Sequence, residues 1–205
     1  MVHDKMLPEI YLTRHETGIY PWRQPNLFTP FWRCYWNPSE GGCLQVGERE
    51  FEMRTDRIYV IPGHFRFSTF ARKPFEQFYI HFVPPEHVVF SEPGIHETPL
   101  TPECRALFLE WLELKEAGDE YSFRCEVIAA AVLCHALLSL PRDRMLYRES
   151  PGPLAERASA LIRENIAHPL SNAELAMRCG TELRTFLRHF RKETGESPQQ
   201  YSRRI

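Results

Sequence analysis

The stretch that most constrains this chain lies near its end, LSNAELAMRCGTELRTFLRHFRKETGESP, from Leu170 to Pro198. Ser171 stands three residues before Glu174, so each side chain can satisfy a backbone N–H of the other, and Leu170 can staple onto Leu175. The spacing predicts a short helix from Asn172 to Cys179, broken at Gly180, where the turn favours a residue without a side chain. A second helix follows from Glu182 to Thr194 and ends at Gly195. Its Leu183, Phe186, Leu187 and Phe190 recur at three-and-four spacing and must face a core. The other side carries Arg184, Thr185, Arg188, Arg191 and Lys192. Such a face is often merely solvated. Behind a short helix and a Gly turn, it also matches the second helix of a helix-turn-helix, which reads DNA in the major groove.

The order of residues sharpens this. Leu170-Ser171-x-x-Glu174-Leu175-Ala176, then Gly180, Phe186, Arg188, Phe190, Lys192, Thr194-Gly195 and Ser197-Pro198-x-x-Tyr201 resembles the first helix-turn-helix of AraC-type transcription regulators, in register and without a gap. Two positions depart: Glu182 stands where the family has a capping Ser, so Thr181 is expected to cap instead, and His189 replaces a Leu or Met. The resemblance implies double-stranded DNA as partner. It puts Arg184, Leu187 and Arg188 at base-contacting positions, with Thr185 on the same polar side; Arg191 and Lys192, a turn later, suit phosphates. The family carries two such units joined by a long helix. Ser197 and Pro198 start that connector here, but the chain stops at Ile205, so truncation is the expectation.

The charge distribution agrees with a DNA-binding end. From Thr181 to Ile205 six Arg or Lys stand against three Glu, a local +3 that leaves −5 for the rest of a chain of net charge −2. A small basic module on an acidic body suits a protein holding DNA by one end. No apolar run is long enough to span a membrane, and the start MVHDKMLPEI lacks a signal-peptide pattern. The six Cys form no CxxC pair and several sit in apolar runs, as in a reduced, cytoplasmic protein.

The first ninety residues are of a different material, with aromatic and β-branched runs between turn signals: PFWRCYW, CLQVGEREFEM, RIYVIPG, FRFSTFA and EQFYIHFVP. Short strands at this spacing predict an all-β sandwich or barrel. Glu50 to Arg54, then Asp56 to Pro62, resembles the middle of a cupin jelly roll, the effector domain that AraC-type regulators commonly carry first. Many cupins are metal enzymes, but the paired His of their early strands is missing here and Phe67 stands where the last His ligand would be. His64 and His81 alone make a weak metal set. No phosphate loop, nucleophile elbow or Cys–His signature appears. Neither an enzyme nor a metal or other cofactor is expected.

What remains is a small-molecule pocket. On the strand from Glu76 to Phe82, Gln77, Tyr79 and His81 share one face, and Phe78, Ile80 and Phe82 the other. A solid barrel core would rather take the Phe/Ile face inward; a ligand cavity would take the mixed face. In sugar-sensing relatives the late strand touches the effector, and by register Gln77 and Tyr79 match, so the resemblance implies a sugar. Trp32 and Trp36, with Cys34, offer a stacking wall or are simply core.

Thr101-Pro102 starts a helix whose Leu107, Phe108, Trp111, Leu112 and Leu114 form an apolar stripe ended at Gly118. The next, Ser122 to Leu140, is apolar nearly all round and needs cover on two sides. The family dimerises through this pair, so charge at Leu133 or Leu137 is expected to give monomers. Residues 141–153 are polar with Pro and Gly, an interdomain linker. Leu154, Ala158, Leu161, Ile162 and Ile166 mark a bracing helix stopped at Pro169.

The expected organisation is α+β: a cupin-like effector-binding barrel (1–100), a helical dimerisation pair (101–140), the linker (141–153) and a C-terminal all-α helix-turn-helix unit (154–205). Function follows as an effector-responsive regulator with DNA, a small molecule and a second copy as partners, and no membrane. A metal-dependent cupin enzyme and a sugar-binding module without a DNA role are the alternatives.

Overall fold

The structure, a computed structural model, describes residues 7–85, 88–147, 152–166 and 168–204. Ten strands come first: β1 (Glu9–Ile19), β2 (Gln24–Leu27), β3 (Trp32–Trp36), β4 (Gly42–Val46), β5 (Arg49–Glu52), β6 (Arg57–Ile61), β7 (Phe67–Ala71), β8 (Phe75–Val83), β9 (Val88–Phe90) and β10 (His96–Pro99). Two helices, α1 (Pro102–Glu116) and α2 (Phe123–Leu138), precede a short strand, β11 (Met145–Tyr147). Then come α3 (Pro153–Glu164), α4 (Asn172–Arg178), α5 (Leu183–Thr194) and α6 (Pro198–Arg204). The chain divides into two compact units, Met1–Leu146 and Tyr147–Ile205.

In the first unit a five-stranded sheet, β1-β8-β3-β6-β10, faces a four-stranded one, β2-β7-β4-β5, and all neighbouring pairs in both are antiparallel. Register decides which side chains meet. Across β3 and β8, Trp32 lies opposite Phe82, Cys34 opposite Ile80 and Trp36 opposite Phe78. That set points to the helices and packs with Cys104, Phe108 and Trp111 of α1 and with Cys125, Ile128, Val132 and Leu133 of α2. The alternate residues, Tyr35 with Tyr79 and Arg33 with His81, pair on the other face. There Tyr35, Tyr59 and Ile61 share a core with Leu44, Met53 and Phe67 from the four-stranded sheet. The mixed face of β8 is thus turned inward between the sheets, and its Phe/Ile face packs under the helices.

The two helices belong to this unit rather than forming a segment of their own. Thr101 caps α1 by accepting from the Cys104 N–H, with Pro102 first in the helix, and Ser122 does the same for α2 through Cys125. The sheet-facing side of α2 includes Leu133, which is fully buried, while Leu137 packs partly against the same core. Those two were expected to meet a partner; helical periodicity instead leaves Phe123 (80% exposed), Val127 and Leu138 (83%) on the open side. The expected linker is also partly ordered, since β11 pairs with β9 and the Ser91 N–H bonds to the Arg144 carbonyl. Its residues 148–151 lie outside the described residues, as do Met1 to Met6 of the chain start and Ile205.

The second unit closes around Ala155, Ala158, Ile162, Leu175, Ala176, Phe186, Phe190 and Tyr201. The Ser171–Glu174 capping box is complete: Ser171 accepts from the Glu174 N–H, and the Glu174 carboxylate accepts from the Ser171 N–H at 2.7 Å. Those bonds hold the Glu174 carboxyl below the usual carboxylate range. Gly180 has φ +72°, a left-handed turn that a Cβ would strain, and Gly195 at +79° ends α5. The cap of α5 differs from expectation. Glu182 is the N-cap residue, makes no side-chain cap bond, and Thr181 spends its N–H on the Ala176 carbonyl.

Candidate functional site

Two places gather the residues that sequence singles out. The first is α5. Phe186, Phe190 and Thr194 are buried, with Phe190 edge-on to Tyr201 at 5.6 Å, so this face of the helix is fixed on its core. Arg184, Arg188, Arg191 and Lys192 are exposed on the opposite side, one above another at helical spacing, and no described carboxylate pairs with them. Thr185 and Leu187 flank them half-buried, and Leu187 packs against the core. His189 lies 3.8 Å from Glu193 and within 3.5 Å of the Arg188 guanidinium. Glu193 itself reaches α3, where its carboxylate accepts from the Ala155 N–H at 3.1 Å.

The second place is the space between the sheets, where the five expected effector residues separate. Trp32 and Trp36 are not beside Gln77, Tyr79 and His81, because the antiparallel register sends them to the helix-covered face. Trp32 stacks on Phe90 at 4.7 Å; Trp36 packs on Phe108 at 4.4 Å and donates its indole N–H to the Thr55 carbonyl at 3.0 Å. Both are core. Gln77, only 3% exposed, gives its amide to the Asn37 carbonyl oxygen at 3.2 Å, so that group is committed internally. Tyr79 donates to the Glu16 carboxylate at 2.6 Å, and burial together with that carboxylate pushes its phenol well up. His81 sits among the rings of Phe31 (4.7 Å), Tyr79 (5.1 Å) and Tyr11 (6.0 Å). Burial, and then the Arg33 charge, lower its pKa to about 4, so the imidazole is neutral near pH 7.

Arg33 was not among the expected residues. It stands on β3 opposite His81 and is 4% exposed. Its guanidinium donates to Thr29 Oγ1 at 2.7 Å and lies over the rings of Phe31 (4.5 Å) and Phe67 (5.3 Å). The signal was there: an Arg inside Phe31-Trp32-Arg33-Cys34-Tyr35-Trp36, in a strand with both faces covered.

No family model matches the sequence, and neither does any curated protein. Solved structures do. ToxT from Vibrio cholerae O395, bound to (E)-4-(8-methylnaphthalen-1-yl)but-3-enoic acid, superposes over 96% of this chain and 79% of its own, with TM-score 0.51 and 10% identity. The chain has the fold of ToxT. A second ToxT structure from the same strain (TM-score 0.49, 11% identity, 95% of this chain and 76% of that one) is more distant. So is the AraC-like transcriptional activator CuxR (0.38, 12%, 94% and 70%), and neither adds weight.

Clefts elsewhere on the ToxT-like body do not include the expected effector residues. One of about 460 Å³ is lined by Trp22, Arg23, Gln45 and Thr69 among others, and one of about 550 Å³ by Glu40, Glu52, Arg54 and Asp56 among others. Among the described residues no group of three His, Cys, Asp or Glu is gathered as metal ligands, and no helix is long and apolar enough to cross a membrane.

Proposed function

We propose that the chain is an effector-responsive, DNA-binding transcription regulator of the AraC type, working in the cytoplasm. The observation that carries this is α5: a helix clamped on its own core by Phe186 and Phe190, entered through a capped short helix and a Gly turn, with four cations on its free face that no described carboxylate pairs. In this reading α4 and α5 are the helix-turn-helix and α6 begins the connector. The two sheets are the cupin-like jelly-roll effector domain. A sugar-binding module without a DNA role leaves the cationic face of α5 unused.

Arg184 and Arg188 read base edges in the major groove, with Thr185 and Leu187 beside them, while Arg191 and Lys192 hold phosphates. Arg188→Ala costs about 1–3 kcal/mol at the specific site and relaxes the preference for one base. Lys192→Ala weakens all sequences alike and lowers the salt slope by about 1. Equal loss on specific and random DNA in Arg188→Ala would make Arg188 a phosphate contact and sink the assignment.

The effector enters between the sheets, where Tyr79 and His81 are half-buried. A sugar, the first expectation, has less to hold it now that Gln77 is bonded to Asn37. A second copy covers the open side of α2, since Phe123, Val127 and Leu138 form an exposed apolar stripe. Leu138→Glu then gives monomers in sedimentation at micromolar concentration with the fold intact; a variant that sediments as the parent does refutes the dimer through this face.

A further inference from the structure

We infer that His189 is a positioning residue for Arg188: its neutral ring holds the guanidinium from behind and sets the angle at which it meets a base. This rests on the regulator reading of α5 and adds a residue to it. Arg188 Nη2 lies 3.5 Å from His189 Nε2. A guanidinium has donors and no acceptor, so Nε2 must be the accepting nitrogen and the proton of the neutral ring sits on Nδ1. Nδ1 in turn faces the Glu193 carboxylate one turn on, with Oε1 3.8 Å away. The other oxygen, Oε2, accepts from the Ala155 N–H at 3.1 Å. The string Arg188, His189, Glu193, Ala155 therefore runs from the cationic face of α5 to the first turn of α3, each polar group facing one of the opposite kind.

The position of the ring suits this work. Thr185, His189 and Glu193 recur every four residues and are all half-buried, a line along the border between the core face and the cationic face. The helices packed against α5 carry Glu156 and Arg157 (α3), Glu174 and Arg178 (α4) and Arg203 (α6), and no described carboxylate of theirs pairs with His189. Arg188 and Glu193 are the described charged partners of the ring. A guanine is read by two parallel N–H groups of an arginine, and the reading is sharper when the fork is supported from its other side. Neutral His189 supplies that support. A proton on Nε2 removes it: both ring nitrogens then donate, the imidazolium repels the guanidinium, and its charge is drawn to Glu193. The same proton adds a cation near the phosphates, which favours every sequence alike. Acidification thus lowers base preference while it raises general affinity, two effects of opposite sign that a merely structural side chain would not separate.

The test is the affinity of the full chain for two duplexes, one that the chain itself selects from a randomised pool at about pH 8 and one of random sequence, measured at about pH 8 and about pH 5.5. In the parent the preference for the selected duplex is expected to fall about threefold or more on acidification, while binding to the random one tightens. His189→Gln offers an amide acceptor that does not titrate and is expected to keep the preference under both conditions. His189→Leu offers no acceptor and is expected to show the low preference under both; Leu and Gln are good helix formers, so α5 survives either change. The inference is overturned if His189→Leu prefers the selected duplex as strongly as the parent does at the higher pH. It is overturned equally if the preference of His189→Gln falls with pH as the parent's does. Those two outcomes leave the regulator reading standing, whereas a chain that enriches no duplex from the pool sinks both.

Discussion

The two faces of the five-stranded sheet carry alternate residues of the same strands and do opposite work. Toward the helices, Trp32, Cys34, Trp36, Phe78, Ile80 and Phe82 present no charge and meet Phe108, Trp111 and Ile128 in a continuous apolar layer. Toward the other sheet, apolar Ile61 and Phe75 stand among polar or polar-tipped residues: Arg33 on Thr29, Tyr35, Gln77 on Asn37, Tyr79 on Glu16, and Tyr59 accepting the Arg54 N–H at 2.8 Å. One face is wholly apolar; the other mixes apolar side chains with polar groups bonded among themselves. The lesson is that this unit has two apolar cores, one under the helices and one between the sheets, and the second is laced with buried polar groups such as Arg33 and Gln77.

Removing a core ring should hurt most. Trp36→Ala deletes the contact with Phe108 and the bond to Thr55, and is expected to cost about 3–5 kcal/mol in denaturant unfolding. If it costs no more than an inner-face change, the contrast between the faces fails. Gln77→Ala is next: it leaves the Asn37 carbonyl oxygen without its buried donor, worth about 1–3 kcal/mol. A loss well below that, together with loss of ligand binding, would reassign Gln77 from scaffold to recognition. The smallest effect is on pH dependence. His81 takes up its proton near 4 when folded but near 6.5 when unfolded, so the unfolded chain binds more protons in between and stability falls as pH drops through that window. His15 and His96 are lowered too, in both cases chiefly by burial, so His81→Phe should flatten the slope without abolishing it. An unchanged slope would mean that the inner face is wetter than the structure has it.

Legibility followed the range of the interactions. In the helical unit the signals act within four residues: Ser171 with Glu174, Gly180, Gly195, and Ser197 with Gln200, which repeat the capping pattern at α6. All could be read directly. The Thr181 cap could not, because its backbone is drawn into the turn by Ala176. In the sheet unit the β3 to β8 segments were visible as alternating runs, but which face of β8 turns toward the other sheet was not fixed by the run itself. The longest strand was not seen: β1 is polar, sits at a sheet edge, and shifts register between Ile10 and Leu12 and again between Glu16 and Ile19. The split of Trp32 and Trp36 from Gln77 and Tyr79 depends on which strand lies beside which, and no local pattern states that.

The carboxylate that Glu193 lends to α3 has a consequence for how the helical unit assembles. Gly152 offers no side chain at the start of α3, and a Cβ there would meet the Glu193 carboxyl carbon at 2.7 Å. The first turn of α3 therefore has no local side-chain cap, and its Ala155 N–H is satisfied only by a carboxylate from the last turn of α5. That makes the Ala155 amide proton a reporter of the contact between the two helices: its exchange with solvent should track opening of the whole unit, and Glu193→Gln should speed it while leaving the α4 amides protected.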